Sequence, residues 1–278
     1  MSDNKSELSD KFELELLRAK ENIFSGVLAS YTRSYDAWKR IQGVIKYFIQ
    51  EIKKRKNTIK VLDAGCGDGR LTCLFNSIER VKEKVVFYGI DISPTEIHFG
   101  KSLANFLQMN NLNFDIGNVT SLRFSGASFD IVMCLDVIEH LEEPAKCLSE
   151  VFRVLKPGGL GIVTTCNKTS PFRRLGRLFK HKLAEEKTIE EKENLIRGFP
   201  GHGHISVKGL YEWLDMVKEQ GFIVEGIKRT NIFFGGPRYD KHPILFAFIL
   251  VIDNILLDHF PFMKNFSERF VLKMRKPG

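Results

Sequence analysis

The chain has 278 residues, of which 43% are apolar, a composition ordinary for one large α/β domain or a domain with a cap and unlike a low-complexity polypeptide. Its five cysteines include no C-x-x-C pair, which argues against a disulfide scaffold and predicts buried, reduced thiols in a cytoplasmic protein. The net charge of +8 is compatible with RNA, with an anionic lipid or glycan, and with a basic face that meets solvent.

Residues 1–58 are predicted to form an N-terminal helical segment, and their first residues lack the basic stretch and apolar core of a secretory signal. A strand ending at Asp63 follows, in the run Ile59-Lys-Val-Leu-Asp-Ala-Gly-Cys-Gly-Asp-Gly-Arg70. Its three glycines let the backbone turn sharply and approach a ligand near the first amides of a helix. The dinucleotide fingerprint would need a glycine where Arg70 stands. A tight strand-to-helix turn of any doubly wound domain remains the alternative.

Four further apolar runs predict strands that alternate with helices, a pattern typical of a parallel sheet covered on both faces. Asp91 ends the second strand, where an acidic side chain can accept hydrogen bonds from ribose hydroxyls. The helix before the last of these strands is predicted to stop at Leu155-Lys-Pro-Gly-Gly159. The runs are Val85–Ser93, Asn113–Val119, Phe129–Val137 and Leu160–Thr165.

From Val61 to Thr165 the motifs and their order resemble class I S-adenosylmethionine (SAM)-dependent methyltransferases. The resemblance rests on D-x-G-x-G-x-G, on the acidic end of the second strand, on Phe129-Asp130, and on Leu-Lys-Pro-Gly-Gly. It implies a Rossmann-like α/β fold with a seven-stranded, mostly parallel sheet whose last strand is antiparallel. The expected closing elements are a helix over Val207–Gly221 and strands over Phe222–Arg229 and Arg269–Arg275.

Two blocks exceed this minimal fold, and we call residues 167–206 the first insertion and residues 232–268 the second insertion. Both leave the sheet at the carboxyl ends of parallel strands, where α/β domains bind ligands, so we expect a lid that selects the substrate. The methyltransferase domain is accordingly predicted to span residues 59–278. Within the second insertion, Pro243–Ile252 is too short to span a bilayer. It is predicted to be a buried lid helix, or else a wall for a lipid-like substrate or a peripheral membrane contact.

The resemblance also implies a set of cofactor contacts. The segment from Ser30 to Arg40 resembles the part that closes over the cofactor in the family, and Arg40 or Arg33 is expected to hold the methionine carboxylate. Ile92 is expected to flank the adenine, and the amide oxygen of Asn118 to accept from the adenine amino group in place of a usual Asp. The full expected set is Arg40, Asp63, Gly65, Cys66, Gly67, Gly69, Asp91, Ile92, Asn118, Val119 and Leu135.

The chemistry is expected from Leu135-Asp-Val-Ile-Glu-His-Leu141, because methyl transfer to a hydroxyl needs in-line placement and a base or metal. Glu139 and His140 are the predicted catalytic residues, and His204, with His202, is expected to complete the cluster from the first insertion. Acid-x-x-Glu-His with a later His resembles both ubiquinone-pathway O-methyltransferases and small-RNA 2′-O-methyltransferases, in which such residues hold a divalent metal. Asp136 replaces the first Glu of that pattern, so a metal is left open, as is a role in shaping the pocket.

The sequence thus predicts a cytoplasmic SAM-dependent methyltransferase, with peripheral membrane contact left open. Its expected acceptor is a small or lipid-linked hydroxyl compound, such as a glycan or isoprenoid-type intermediate. Two alternatives remain. The basic cluster with Arg173, Arg174, Arg177, Lys180 and Lys182 would suit RNA 2′-O-methylation, although its apolar residues at helical spacing suit an anionic lipid as well. A non-catalytic module that binds SAM or a protein partner is the other.

Overall fold

The computed structural model describes residues 35–78, 81, 83–170, 204–230, 248, 251–252, 255, 259–260 and 266–278. Arg33, His202, the basic cluster and most of both insertions lie outside these residues. The described strands are β1 (Ile59–Ala64), β2 (Val85–Asp91), β3 (Leu112–Ile116), β4 (Phe129–Leu135), β5 (Leu155–Cys166), β6 (Ile223–Arg229) and β7 (Arg269–Arg275).

These seven strands form one sheet in the order β3-β2-β1-β4-β5-β7-β6. The pairs from β3 to β5 are parallel, whereas β7 lies antiparallel between β5 and β6. The predicted Rossmann-like fold with an antiparallel last strand is therefore confirmed. The order reverses at β1 and β4, and in such sheets the crevice at that reversal is the usual ligand site.

Helices cover both faces of the sheet. They are α1 (Tyr35–Lys54), α2 (Arg70–Asn76), α3 (Pro94–Phe106), α4 (Pro144–Val154) and α5 (Leu210–Glu219). Successive residues of β4 belong to different cores: Val132 lies in the buried cluster that contains Trp213 of α5, and Met133 lies in the cluster that contains Phe48 of α1. The strand periodicity of two thus gives each face its own buried layer.

The strand that was predicted to begin at Leu160 begins five residues earlier, at Leu155. Helix α4 ends at Val154, as its proline and glycines indicate, but the chain then pairs at once, with Leu155 opposite Phe129. Gly158 adopts a φ of 70° there and donates its amide to the Lys276 carbonyl at 3.0 Å. The hydrogen bond to Lys276 thus holds the early part of β5, and no local sequence pattern predicts it because its partners lie far apart in the chain.

No helix among the described residues has the length and apolar character that crossing a membrane requires.

Candidate active site

The glycine loop, residues 65–69, joins β1 to α2 and contains three residues in the left-handed region. Gly65, Gly67 and Gly69 have φ values of 81°, 53° and 72°, which side chains with a Cβ rarely adopt. The Gly65 and Cys66 amides donate to the Ile90 carbonyl of β2 at 2.8 and 2.9 Å. The loop is therefore held against the neighbouring strand, and its curvature requires glycine.

Each glycine of the loop has a different reason for lacking a side chain. A Cβ at Gly65 would lie 2.4 Å from Val137 Cγ2, and one at Gly69 would lie 2.7 Å from the Phe114 ring. A Cβ at Gly67 would have nothing within 4 Å, so an open space lies above that backbone. The first and third glycines permit close packing, and the middle one leaves room that fits a cofactor.

Two carboxylates flank the glycine loop. Asp91 accepts from the Gly67 amide at 2.9 Å through Oδ2 and from the Ser93 amide at 3.0 Å through Oδ1. Asp63 is buried, and its Oδ2 accepts from Thr72 Oγ1 at 2.6 Å. Burial raises the pKa of Asp63 to about 6. The hydrogen bond from Thr72 opposes this rise, and the negative charge of Asp91 adds to it. Asp91 thus bonds the loop directly, whereas Asp63 bonds Thr72 in the helix that follows the loop.

The other predicted cofactor residues lie around the same edge of the sheet. Ile92, directly after β2, is 69% exposed. The Asn118 oxygen already accepts from the Thr120 amide and hydroxyl, both at 2.9 Å, which leaves its amino group available. Val119 and Cys66 are buried and Leu135 is half-buried, and burial raises the pKa of the Cys66 thiol.

All five cysteines are free and buried, as predicted.

The reaction turn, residues 136–140, follows β4 and begins with a residue of positive φ. Asp136 has a φ of 57°, and its amide donates to Thr164 Oγ1 at 2.9 Å. Arg40 Nη1 lies 2.5 Å from Asp136 Oδ2, and Arg269 Nη1 lies 3.1 Å from Oδ1. Although burial opposes ionisation, these two guanidinium groups hold the pKa of Asp136 below its usual value. Arg40 was predicted to bind the methionine carboxylate, and here its partner is Asp136.

Glu139, His140 and His204 come together, as predicted, and their candidate ligand atoms all lie within 4.8 Å of one another. The two imidazole rings are 4.7 Å apart between centroids. Glu139 is fully buried, and burial followed by the nearby Asp136 carboxylate raises its pKa. Its Oε2 has no hydrogen-bond partner among the described residues. A buried carboxylate oxygen without a donor fits a cation or a proton at this place.

Sequence reasoning missed three contributors to this cluster. Thr164 Oγ1 donates to Asp136 Oδ1 at 2.8 Å, and Cys166 Sγ donates to Glu139 Oε1 at 3.3 Å. Arg269 reaches both carboxylates from β7. Thr164 and Cys166 alternate at the carboxyl end of β5, beside the end of β4, and that spacing places both on one face. Nothing local signals Arg269, because its partners lie more than 120 positions earlier in the chain.

The strand order, the antiparallel β7 and the glycine loop after β1 define a class I SAM-dependent methyltransferase. A family model described as a methyltransferase domain matches residues 55–221, more than half of the chain. The protein belongs to this methyltransferase family.

The mitochondrial ubiquinone biosynthesis O-methyltransferase of Schizosaccharomyces pombe is 29% identical to this chain over 188 residues. The matched region is 65% of this chain and 62% of that protein, so the chain spans less than two thirds of this relative's length.

Two solved structures illustrate the fold. A putative sarcosine dimethylglycine methyltransferase from Galdieria sulphuraria has a TM-score of 0.55 and 15% identity, covering 87% of each chain. Phosphoethanolamine N-methyltransferase 2 of Haemonchus contortus, in complex with SAM, has a TM-score of 0.51 and 17% identity, covering 81% of this chain and 50% of that one. At such identities the likeness shows the shared fold.

Replacing Gly67 with valine is expected to abolish SAM binding while the domain stays folded. The β-branched side chain would fill the open space, whereas the strain at positive φ should cost only about 1–2 kcal/mol of stability. Gly158→Val is the matched control, because Gly158 has a φ of 70° and equally open surroundings but lies outside the loop. Calorimetric titration with SAM and thermal unfolding would compare the variants, and normal affinity in Gly67→Val would contradict the placement of the cofactor.

Replacing Asp63 with asparagine should stabilise the SAM-free protein at neutral pH. The folded pKa of about 6 lies above the usual 3.8, so folding becomes less favourable as pH rises from about 4 to 6. An amide keeps an acceptor for Thr72 but carries no charge. Urea unfolding should therefore show a gain of ~1–3 kcal/mol at pH 8 that disappears near pH 4, with the exposed Asp115→Asn as control. A gain of the same size at both pH values would contradict this origin.

Proposed function

We propose that the protein transfers the methyl group of SAM to a hydroxyl oxygen of a small or lipid-linked acceptor. The observation that carries the proposal is the convergence of Glu139, His140 and His204 on a turn that touches the glycine loop. That contact is made by Val137, which lies against Gly65. With SAM on the glycine loop, the methyl donor would lie beside a proton-accepting cluster, which is the arrangement that O-methylation needs.

The carboxylate of Asp91 supports the assignment of the cofactor's ribose to this site. Each of its oxygens accepts one backbone amide, and a carboxylate oxygen has a further lone pair for a hydroxyl donor. The exposed Ile92 would then cover one face of the adenine, and burial of that side chain by the cofactor would favour binding. The Gly65–Gly69 backbone and Arg40 would receive the methionine part, with Arg40 shared between Asp136 and the carboxylate.

In the proposed reaction the acceptor oxygen attacks the methyl carbon in line with the carbon–sulfur bond. The bond to sulfur breaks, its electron pair stays on sulfur, and the sulfonium becomes a neutral thioether. The hydroxyl proton passes to an imidazole of His140 or His204, because histidine is the side chain that most often acts as a general base. Because Glu139 is buried beside both rings, its carboxylate would stabilise the imidazolium that forms.

A divalent metal is a second route to the same deprotonation. Glu139, His140 and His204 offer one carboxylate and two imidazoles within 4.8 Å, a donor set that suits zinc and similar ions. Bound there, a metal would lower the pKa of the acceptor hydroxyl. Asp136 would contribute little as a ligand, since arginines and Thr164 occupy its oxygens. This route would also serve an RNA 2′-hydroxyl.

Exposed apolar side chains favour a lipid-linked acceptor over RNA. Phe248, Val251 and Ile255 are 62%, 56% and 48% exposed, at the i, i+3, i+7 spacing of one helical face in the second insertion. Ile205, next to His204, is 56% exposed. The relative from Schizosaccharomyces pombe is named for ubiquinone biosynthesis, in keeping with an isoprenoid-type hydroxyl compound.

Replacing His140 or His204 with alanine should lower the methylation rate at least about a hundredfold, in line with general-base contributions, with little change in SAM affinity. The chelator EDTA separates the two routes. A histidine base should retain activity and show a pH–rate limb near neutrality, whereas a metal site should lose activity and regain it with Zn²⁺, Mg²⁺ or Mn²⁺. His98→Ala, an exposed histidine on α3, is the control. Full activity in both variants would leave these histidines as pocket lining.

Radioactive methyl groups from labelled SAM should enter a membrane lipid extract and not structured RNA. The extract can be separated by chromatography and the product identified by mass spectrometry, which would name the acceptor.

Any RNA binding should be tested between low and moderate salt, because binding through several phosphates weakens by orders of magnitude over that range. Transfer to RNA would replace the acceptor class, and transfer to neither by a SAM-binding protein would favour a non-catalytic module.

A further inference from the structure

Glu139 is contacted from three of the four places where the insertions leave or rejoin the sheet. Cys166, at the end of β5, donates to its Oε1 at 3.3 Å just before the first insertion begins. Ile205 and Ser206, at the end of that insertion, both donate their amides to the Glu139 carbonyl at 3.0 Å. Arg269, the first residue after the second insertion, has Nη1 3.7 Å from Oε1.

Arg269 also holds the start of the reaction turn. The same Nη1 lies 3.1 Å from Asp136 Oδ1, so a single guanidinium nitrogen bridges two carboxylates three residues apart. Asp136 has a positive φ, which a residue other than glycine keeps only where surrounding contacts compensate. Hydrogen bonds to a charged group are worth more than neutral ones. Arg269 is therefore placed to fix the geometry of the whole turn.

The bases of the two insertions are joined directly as well. The Asn167 amide donates to the Glu268 carbonyl at 2.9 Å, and Asn167 Nδ2 donates to the Ser267 carbonyl at 2.7 Å. Asn167 is fully buried, so these bonds are shielded from water. A displacement at the base of the second insertion consequently acts on the first insertion and on Arg269 together.

We propose that Arg269 is a positioning residue that couples the described ends of the two insertions to the reaction turn. By bridging Asp136 and Glu139 it holds the Glu139 carbonyl under Ile205 and Ser206, and thereby sets His204 beside His140. The catalytic meaning of the coupling rests on the proposed function, whereas the coupling itself can be measured without an acceptor.

Hydrogen exchange followed by mass spectrometry on the full chain tests the coupling. Arg269→Gln should speed exchange of the Ile205 and Ser206 amides at least about tenfold, since their acceptor loses its anchor. Arg275→Gln is the matched control, because Arg275 lies at the other end of β7 and pairs with Glu51 and Glu225. It should leave exchange at Ile205 and Ser206 unchanged. Equal acceleration in both variants, or none in Arg269→Gln, would overturn the proposal.

Two more variants separate positioning from general support of the fold. Arg269→Lys keeps the charge with a single ammonium and should restore part of the protection; protection no better than in Arg269→Gln would contradict a charge bridge. Glu139→Gln should loosen the same amides, and the double variant should add little, because both changes break one contact. An additive double variant would overturn the coupling. If Arg269→Gln does not fold, Arg269→Lys and Glu139→Gln are each compared with the unaltered protein; both should speed exchange at Ile205 and Ser206, and unchanged exchange in both would overturn the proposal.

Calorimetry with SAM on the same proteins keeps the two proposals distinct. Normal SAM affinity with altered exchange in Arg269→Gln supports a positioning role on the acceptor side. Absence of SAM binding in the unaltered protein would remove the proposed function and leave the exchange result standing. Altered SAM affinity in Arg269→Gln without altered exchange would overturn the coupling and place Arg269 in the cofactor site.

Discussion

The position of the whole site depends on one close approach, between the backbone at Gly65 and the side chain of Val137. A methyl group at Gly65 would stand 2.4 Å from Val137, so the two loops can meet in this way because residue 65 has no Cβ. The loops follow β1 and β4, which are neighbours in the sheet, and the amides of Gly65 and Cys66 are anchored on β2. Three adjacent parallel strands thereby bring the glycine loop and the reaction turn to one place.

The charges of the site are balanced by residues from distant parts of the chain. Asp136 and Glu139 lie close together at the sheet edge, and buried carboxylates are tolerated where opposite charges compensate them. Arg40 comes from the first described helix and Arg269 from the last strand. The reaction turn is thus complete only when both ends of the described chain are in place, which ties the assembly of the site to the closing of the sheet.

The sequence predicted what strands, glycines and acidic strand ends encode locally, and it could not predict contacts made across the fold. The glycine loop, Asp91 and the pair of Glu139 and His140 follow from position at the carboxyl ends of neighbouring strands. His204 instead comes from the end of the first insertion. The partner of Arg40 and the early start of β5 at Leu155 depend on segments far away in sequence. The Asn118 oxygen was expected to accept from the adenine amino group. In the structure it accepts from the amide and hydroxyl of Thr120, a local turn that an Asn two residues before a Thr can form.

Helix α1 belongs to the folded domain although it lies outside the segment that the family model matches. The family match begins at residue 55, after the last residue of α1, yet Val44, Phe48 and Ile52 are buried in the core beneath the sheet. The same helix supplies Arg40 to the reaction turn and Glu51 to Arg275. A fragment that began at residue 55 would therefore expose the apolar side chains of β5 and β7 that α1 covers. It would also remove the ion-pair partners of Asp136 and Arg275. The segment that the family model matches and the unit that folds have different limits, and expression of the folded domain should begin upstream of Tyr35.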